Sequence, residues 1–137
     1  MIEVLNQQNR YNIDTKKFSI LLKRLMTHYG QKNSEITLAF VNNSVIKKLN
    51  HKFRNKDAPT DVLSFCLGEY AADGKFYLGD IIISVPQAAK QSRTKKHSLV
   101  QELEILAIHG YLHLKGFEHF KGLEEEEEKI QKIIFEG

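Results

Sequence analysis

His109, His113 and His119 stand in the segment HGYLHLKGFEH, a HxxxHxxGxxH pattern whose residue types and spacing can build a metal site. In a helix, residues four apart lie one turn apart on the same face, so His109 and His113 can aim both imidazoles at one ion. Gly116 tolerates the left-handed conformation that ends helices, which lets the chain turn back and offer His119 as a third nitrogen. Three neutral imidazoles leave one tetrahedral position open. Open three-ligand zinc sites are typically catalytic, because water or substrate takes the fourth place. Zinc held this way lowers the pKa of its water to about 7 and so supplies hydroxide at neutral pH. Imidazole also suits nickel, copper and iron, but three nitrogens without a thiolate favour zinc, at one ion per chain.

The residues beside the motif narrow the chemistry. The spacing resembles that of metzincin peptidases, in which the residue after the first histidine is a glutamate acting as general base. Here that residue is Gly110. A zinc peptidase or amidohydrolase is therefore the weaker reading. Phosphodiester cleavage asks for less: a metal to polarise a phosphoryl oxygen and a guanidinium to hold the negative charge. Arginine pairs bidentately with phosphate and stays charged, which turns attention to the arginines. His28, His51 and His97 lack partners at ligand spacing and are set aside.

Cys66 is the only cysteine, so no internal disulfide can form; a small, half-buried thiol in a reducing compartment is expected. No apolar run approaches the ~18–20 residues that cross a bilayer, and the first residues lack the pattern of a signal peptide. A cytoplasmic protein without a membrane partner is expected. The net charge of +3 hides an asymmetry: residues 1–115 carry 17 Lys/Arg against 10 Asp/Glu, and residues 116–137 carry 3 against 7. A basic body with an acidic tail fits a polyanionic partner.

The motif has to be positioned by a fold of ordinary size, and 137 residues suit one domain, 1–137. Ile2 to Leu5 reads as a short strand. Phe18, Leu21, Leu22, Leu25 and Tyr29 recur at helical spacing, with Asp14 or Thr15 as cap and Gly30 past the end. Ile36, Leu38 and Phe40 alternate, as in a half-buried strand over Glu35 to Val41. Asn42 to Ser44 turns the chain into a second helix bearing Ile46, Leu49 and Phe53, with Lys47, Lys48 and Lys52 opposite and Pro59 ending the segment. Val62 to Leu67 and Leu78 to Val85 read as an antiparallel pair joined through Asp73-Gly74. Pro86 opens a third helix running toward Lys96. Ser98 to Gln101 resembles a capping box for a helix over Leu99 to Leu114, apolar on nearly every side and so central. The last helix, Leu123 to Phe135, has Leu123, Ile130, Ile133 and Ile134 inside. Its run Glu124 to Glu128 reads as a solvated first turn. The order βαβαββααα predicts an α+β domain: a four-stranded mixed sheet and about five helices, with the metal-motif helix buried against the sheet.

Three blocks in this order carry a resemblance to a known family: FRNKDAPTDVLSF from Phe53, LGDIIIS from Leu78, and the histidine motif from His109. Together they resemble the YbeY family of single-strand-specific endoribonucleases, over roughly residues 35–135. The resemblance implies that His109, His113 and His119 bind zinc and that Arg54 lies at the site and is needed for activity. It also implies a role in ribosomal RNA processing, including maturation of the 16S rRNA 3′ end, and in ribosome quality control. Its implied partners are single-stranded RNA, ribosomal RNA with the small ribosomal subunit, and a ribosomal or GTPase protein. A ribosome-assembly RNA-binding factor with a mainly structural metal is the alternative. Two positions depart from the family pattern: Cys66 stands where proline is common, and Phe117-Glu118 where Tyr-Asp is common. Asp61 and Asp80, next to strands, are candidates for orienting a histidine or Arg54, and the longer Glu118 for altering the surroundings of His119.

Overall fold

The computed structural model describes residues 1–136. Nine elements follow in the expected order: β1 (Ile2–Asn6), α1 (Thr15–His28), β2 (Glu35–Val41), α2 (Asn43–Arg54), β3 (Val62–Tyr70), β4 (Phe76–Ser84), α3 (Val85–Thr94), α4 (Leu99–Leu114) and α5 (Leu123–Glu136). The strands form one sheet in the order β1-β2-β4-β3, with β1, β2 and β4 parallel and β3 antiparallel to β4. The architecture is α+β with five helices on a mixed sheet.

Alternation along the strands divides the side chains between two faces. Ile36, Leu38, Phe40, Leu78, Ile81 and Ile83 form one core with α1, α3, α4 and α5. Ala39, Val41 and Leu63 form a smaller core on the other face, covered by Ile46 and Leu49 of α2. A helix apolar all round belongs inside, and α4 is there: Leu103, Ala107, Ile108, Tyr111 and Leu112 are at most 1% exposed. Its N-cap Ser98 hydroxyl accepts the Gln101 N–H at 3.1 Å, a contact that typically contributes about 1 kcal/mol. Glu102 in its first turn is fully buried, its carboxylate facing His97 Nε2 at 2.6 Å and Lys95 Nζ at 3.4 Å. His97 thus has a structural partner.

Several boundaries differ from expectation, each for a local reason. Helix α2 stops at Arg54 because Asn55 adopts φ 57° as a left-handed cap, and Pro59 plays no part in ending it. The hairpin strands run on to Tyr70 and back from Phe76, where the edge-to-face pair Tyr70–Phe76, 5.0 Å between centroids, holds the extension together. Val85 belongs to α3, whose cap is Ser84. Ile133 lies 40% exposed, leaving Leu123, Ile130 and Ile134 as the buried stripe of α5. Cys66 is exposed, contrary to the half-buried reading: its residues 66 to 70 lie on the open part of an edge strand, with the thiol 3.7 Å from the Leu114 carbonyl.

Candidate metal centre

Helix α4 carries His109 and His113 on the face that emerges from the core, beyond the edge strand β3. Their Nε2 atoms lie 3.1 Å apart. The helix ends at Leu114, and Gly116, at φ 98°, reverses the chain while the Phe117 N–H bonds back to the Leu112 carbonyl at 3.0 Å. The turn that follows brings His119 alongside, so that one ring nitrogen from each of His109, His113 and His119 falls within 4.8 Å of the others. Tetrahedral zinc with Zn–N bonds of about 2.0–2.1 Å separates its nitrogens by about 3.3 Å. The His109–His113 pair is already close to that spacing. The set fits a metal ion and could hold one.

The surroundings of the two helical histidines differ. His109 Nδ1–H donates to the Glu127 carboxylate at 3.2 Å, which leaves Nε2 as the lone pair facing the cluster. That hydrogen bond raises the pKa of His109 despite partial burial. Burial lowers the pKa of His113, assisted by the positive potential of His109, His119 and Arg54. A neutral His113 is the form that donates a lone pair to a cation. His119 sits on the exposed side, its Nδ1 3.7 Å from Glu124.

Arg54 reaches the same place from the opposite side of the fold. It lines one cavity of about 210 Å³ together with Thr60, Asp61, Val62, Ser64, His109, His113 and His119. Being the last residue of α2, it depends on how that helix ends. Buried Asn50 donates its amide to the Ala58 carbonyl at 2.9 Å, and its own carbonyl accepts the Lys56 N–H at 3.3 Å, which ties the following loop back onto the helix. Among the described residues, none of the ion pairs uses the Arg54 guanidinium. It is free to pair with an anion. Lys48 and Lys52 lie exposed on the same helix, and Lys47 faces Asp57 at 3.9 Å.

The acidic candidates are redistributed. Asp61 lines the cavity, but its carboxylate accepts from the Val62 N–H at 2.8 Å and the Gln91 amide at 3.1 Å rather than from a histidine or Arg54. Asp80 lies elsewhere, bonded to the Tyr77 hydroxyl at 2.8 Å. Glu118 pairs with Lys121 at 3.7 Å and does not orient His119. The carboxylates that do approach the histidines are Glu124 and Glu127, from the run that reads as a solvated first turn. Five consecutive glutamates contain no local signal for which of them faces α4; only the docked helix decides. Glu127→Ala is expected to weaken metal affinity about 10- to 100-fold with the fold intact, measured by competition with a chromophoric chelator.

Gly110 has a packing role. A Cβ there would lie 2.6 Å from Ile81 Cγ2 and 3.2 Å from Ser64 Oγ, and the Ser64 hydroxyl donates to the Gly110 carbonyl at 3.1 Å. The position after the first histidine is therefore packed against Ile81 and Ser64 of the sheet, with no room for a side chain unless its neighbours shift. Gly110→Ala is expected to destabilise the protein by about 1–3 kcal/mol through overpacking, read from the denaturation midpoint.

Fold and site together define a mixed-sheet α+β protein with an open, three-imidazole centre and an arginine facing it across one cavity. The family model described as Endoribonuclease YbeY matches residues 3–136, and the chain belongs to that family. The chain is 44% identical over 123 residues to the endoribonuclease YbeY of Oceanobacillus iheyensis, covering 80% of this chain and 79% of that one. It is 42% identical over 126 residues to that of Moorella thermoacetica, covering 83% and 81%. With the Carboxydothermus hydrogenoformans protein it shares 36% over 134 residues, covering 96% and 90%. A solution structure from Thermotoga maritima matches with a TM-score of 0.65 at 27% identity, over 98% of this chain and 89% of that one.

Proposed function

We propose that this protein is a zinc-dependent, single-strand-specific endoribonuclease that acts in ribosomal RNA processing and ribosome quality control. The observation that carries the reading is the convergence of Arg54 with His109, His113 and His119 on one small cavity, in a chain of the Endoribonuclease YbeY family. His109, His113 and His119 hold the ion. When bound, it supplies Lewis-acid polarisation of a phosphoryl oxygen. Arg54 binds and orients the scissile phosphate, its planar fork matching two phosphate oxygens. Glu127 keeps the His109 proton on Nδ1.

The proposed place of work is the cytoplasm, where ribosomal RNA is matured; no helix among the described residues is long and apolar enough to cross a membrane. The small ribosomal subunit, with its 16S rRNA 3′ end, is the proposed target, and a ribosomal or GTPase protein the proposed companion.

The test is cleavage of a single-stranded ribosomal RNA fragment and of the same fragment in a duplex, together with metal analysis. Cutting confined to the single strand, with about one zinc per chain, is the expected result. Equal cutting of both forms, or no cutting of either, overturns the reading. Products ending in a 2′,3′-cyclic phosphate identify the RNA's own 2′-hydroxyl as nucleophile.

A further inference from the structure

The turn that delivers His119 also carries Phe120, and Phe120 is out of place by two physical criteria. It is 98% exposed, the most exposed of the large hydrophobic side chains among the described residues. Phe53 and Tyr70, the next most exposed rings, rest edge-to-face on Phe65 and Phe76 at 5.2 and 5.0 Å between centroids. Phe120 has only the His119 ring, 6.4 Å away. Its backbone is strained as well. In the turn Glu118 to Lys121, closed by the Lys121 N–H on the Glu118 carbonyl at 3.0 Å, Phe120 is the third residue, with φ 61°. That position favours glycine or asparagine, and a bulky side chain there is an outlier.

The strained conformation is nevertheless held firmly. The Phe120 N–H donates to the Glu124 carboxylate, with Oε1 at 2.9 Å and Oε2 at 3.3 Å, and the Leu123 N–H closes on the Glu118 carbonyl at 3.2 Å. A ring carried on a braced turn, facing solvent beside a candidate ligand, gains nothing from folding. Strain of this kind concentrates at ligand clamps.

The cavity explains what the ring can meet. At about 210 Å³ it lies below the about 300–1,000 Å³ that encloses drug-sized ligands. A phosphate that enters it leaves its neighbouring nucleobases outside, and on one side the cavity is bounded by exposed His119, whose ring lies 6.4 Å from that of Phe120. We propose that Phe120 is a base-stacking residue that holds the unpaired nucleobase next to the phosphate seated between Arg54 and the three histidines. This rests on the reading of the protein as an enzyme of single-stranded RNA. Stacking needs only a π-face, so it accepts every base, and it requires a base free of its own duplex stack. Phe120 thereby favours single strands without reading their sequence.

The experiment compares wild type with Phe120→Leu, which keeps the apolar character, and Phe120→Trp, which keeps the aromatic face. KM and kcat are measured on a single-stranded oligoribonucleotide, and binding is followed through the fluorescence of 2-aminopurine placed along a 2′-O-methyl copy. Phe120→Leu is expected to raise KM about 5- to 100-fold, the loss of one base stack, with kcat within about twofold. The 2-aminopurine quenching should disappear at one position of the strand. Phe120→Trp restores both readings, and metal content is equal in all three proteins. A KM for Phe120→Leu within twofold of wild type, with quenching unchanged, overturns the stacking role while leaving the nuclease reading intact; it points to a protein contact for the ring. A wild-type protein that neither binds nor cuts the oligonucleotide overturns both.

Discussion

His113→Ala is expected to reduce the rate of RNA cleavage at least about 100-fold and to lose the bound ion. A Lewis-acid metal contributes several kcal/mol to a phosphoryl transition state, and each 1.36 kcal/mol is a factor of ten. The three imidazoles face one another as a triangle, His113 lying 4.7 Å from His109 and 5.4 Å from His119 between centroids and His109 5.2 Å from His119, so removing His113 removes one side of the cluster. The His113 side chain emerges from α4 beyond the buried stripe, so truncation leaves the core of the helix unchanged. Initial rates and metal stoichiometry measured together give the check. Chelated wild type and the variant should fall to the same residual rate, and adding a chelator to the variant should change nothing further. A variant that retains a third of the wild-type rate would remove the metal from the reaction.

Gly79→Ala is the substitution expected to damage the fold most. Gly79 pairs with Cys66 on one side and Ile36 on the other, where both ladders shift register, and it adopts φ 146°. A Cβ there would lie 2.1 Å from the Phe65 carbonyl oxygen and 3.0 Å from Leu114 Cδ2. The first of these is backbone in a hydrogen-bonded ladder and cannot swing aside. Overpacking and the disfavoured dihedral together cost about 3 kcal/mol or more, which lowers the melting temperature on the order of 10 °C. Because β3 carries Val62 and Ser64, which line the cavity, metal affinity should fall as well, even at temperatures where the variant remains folded. An alanine variant that melts with the wild type would show that the bulge relaxes freely.

Which parts of this arrangement the amino-acid order reveals follows from how far apart the interacting groups lie. His109, His113 and His119 occupy one helix and one turn, so their convergence follows from 3.6-residue periodicity and a glycine. The strand and helix pattern is likewise local, and the mixed sheet follows from the alternation of elements. Arg54 is different: no local pattern distinguishes it from Arg10, Arg24 or Arg93, and the family resemblance is what singles it out. The Glu127 contact depends on how α5 docks against α4, and the link from Asp61 to Gln91 on how α3 lies relative to the loop that leads into β3. Neither has a signature at fixed spacing. Asn55 shows the same limit on a smaller scale, since an asparagine competent to end a helix looks like any other polar loop residue until its φ is known.

Gly116 separates the ligands into two mechanical groups, two on a rigid helix and one on the connection to α5. An ion bound across that junction would favour the folded chain over the unfolded one by mass action, about 2.7 kcal/mol when its free concentration is 100 times the dissociation constant. The cell's supply of metal would then set how many copies of the protein survive proteolysis, in addition to how fast each one works.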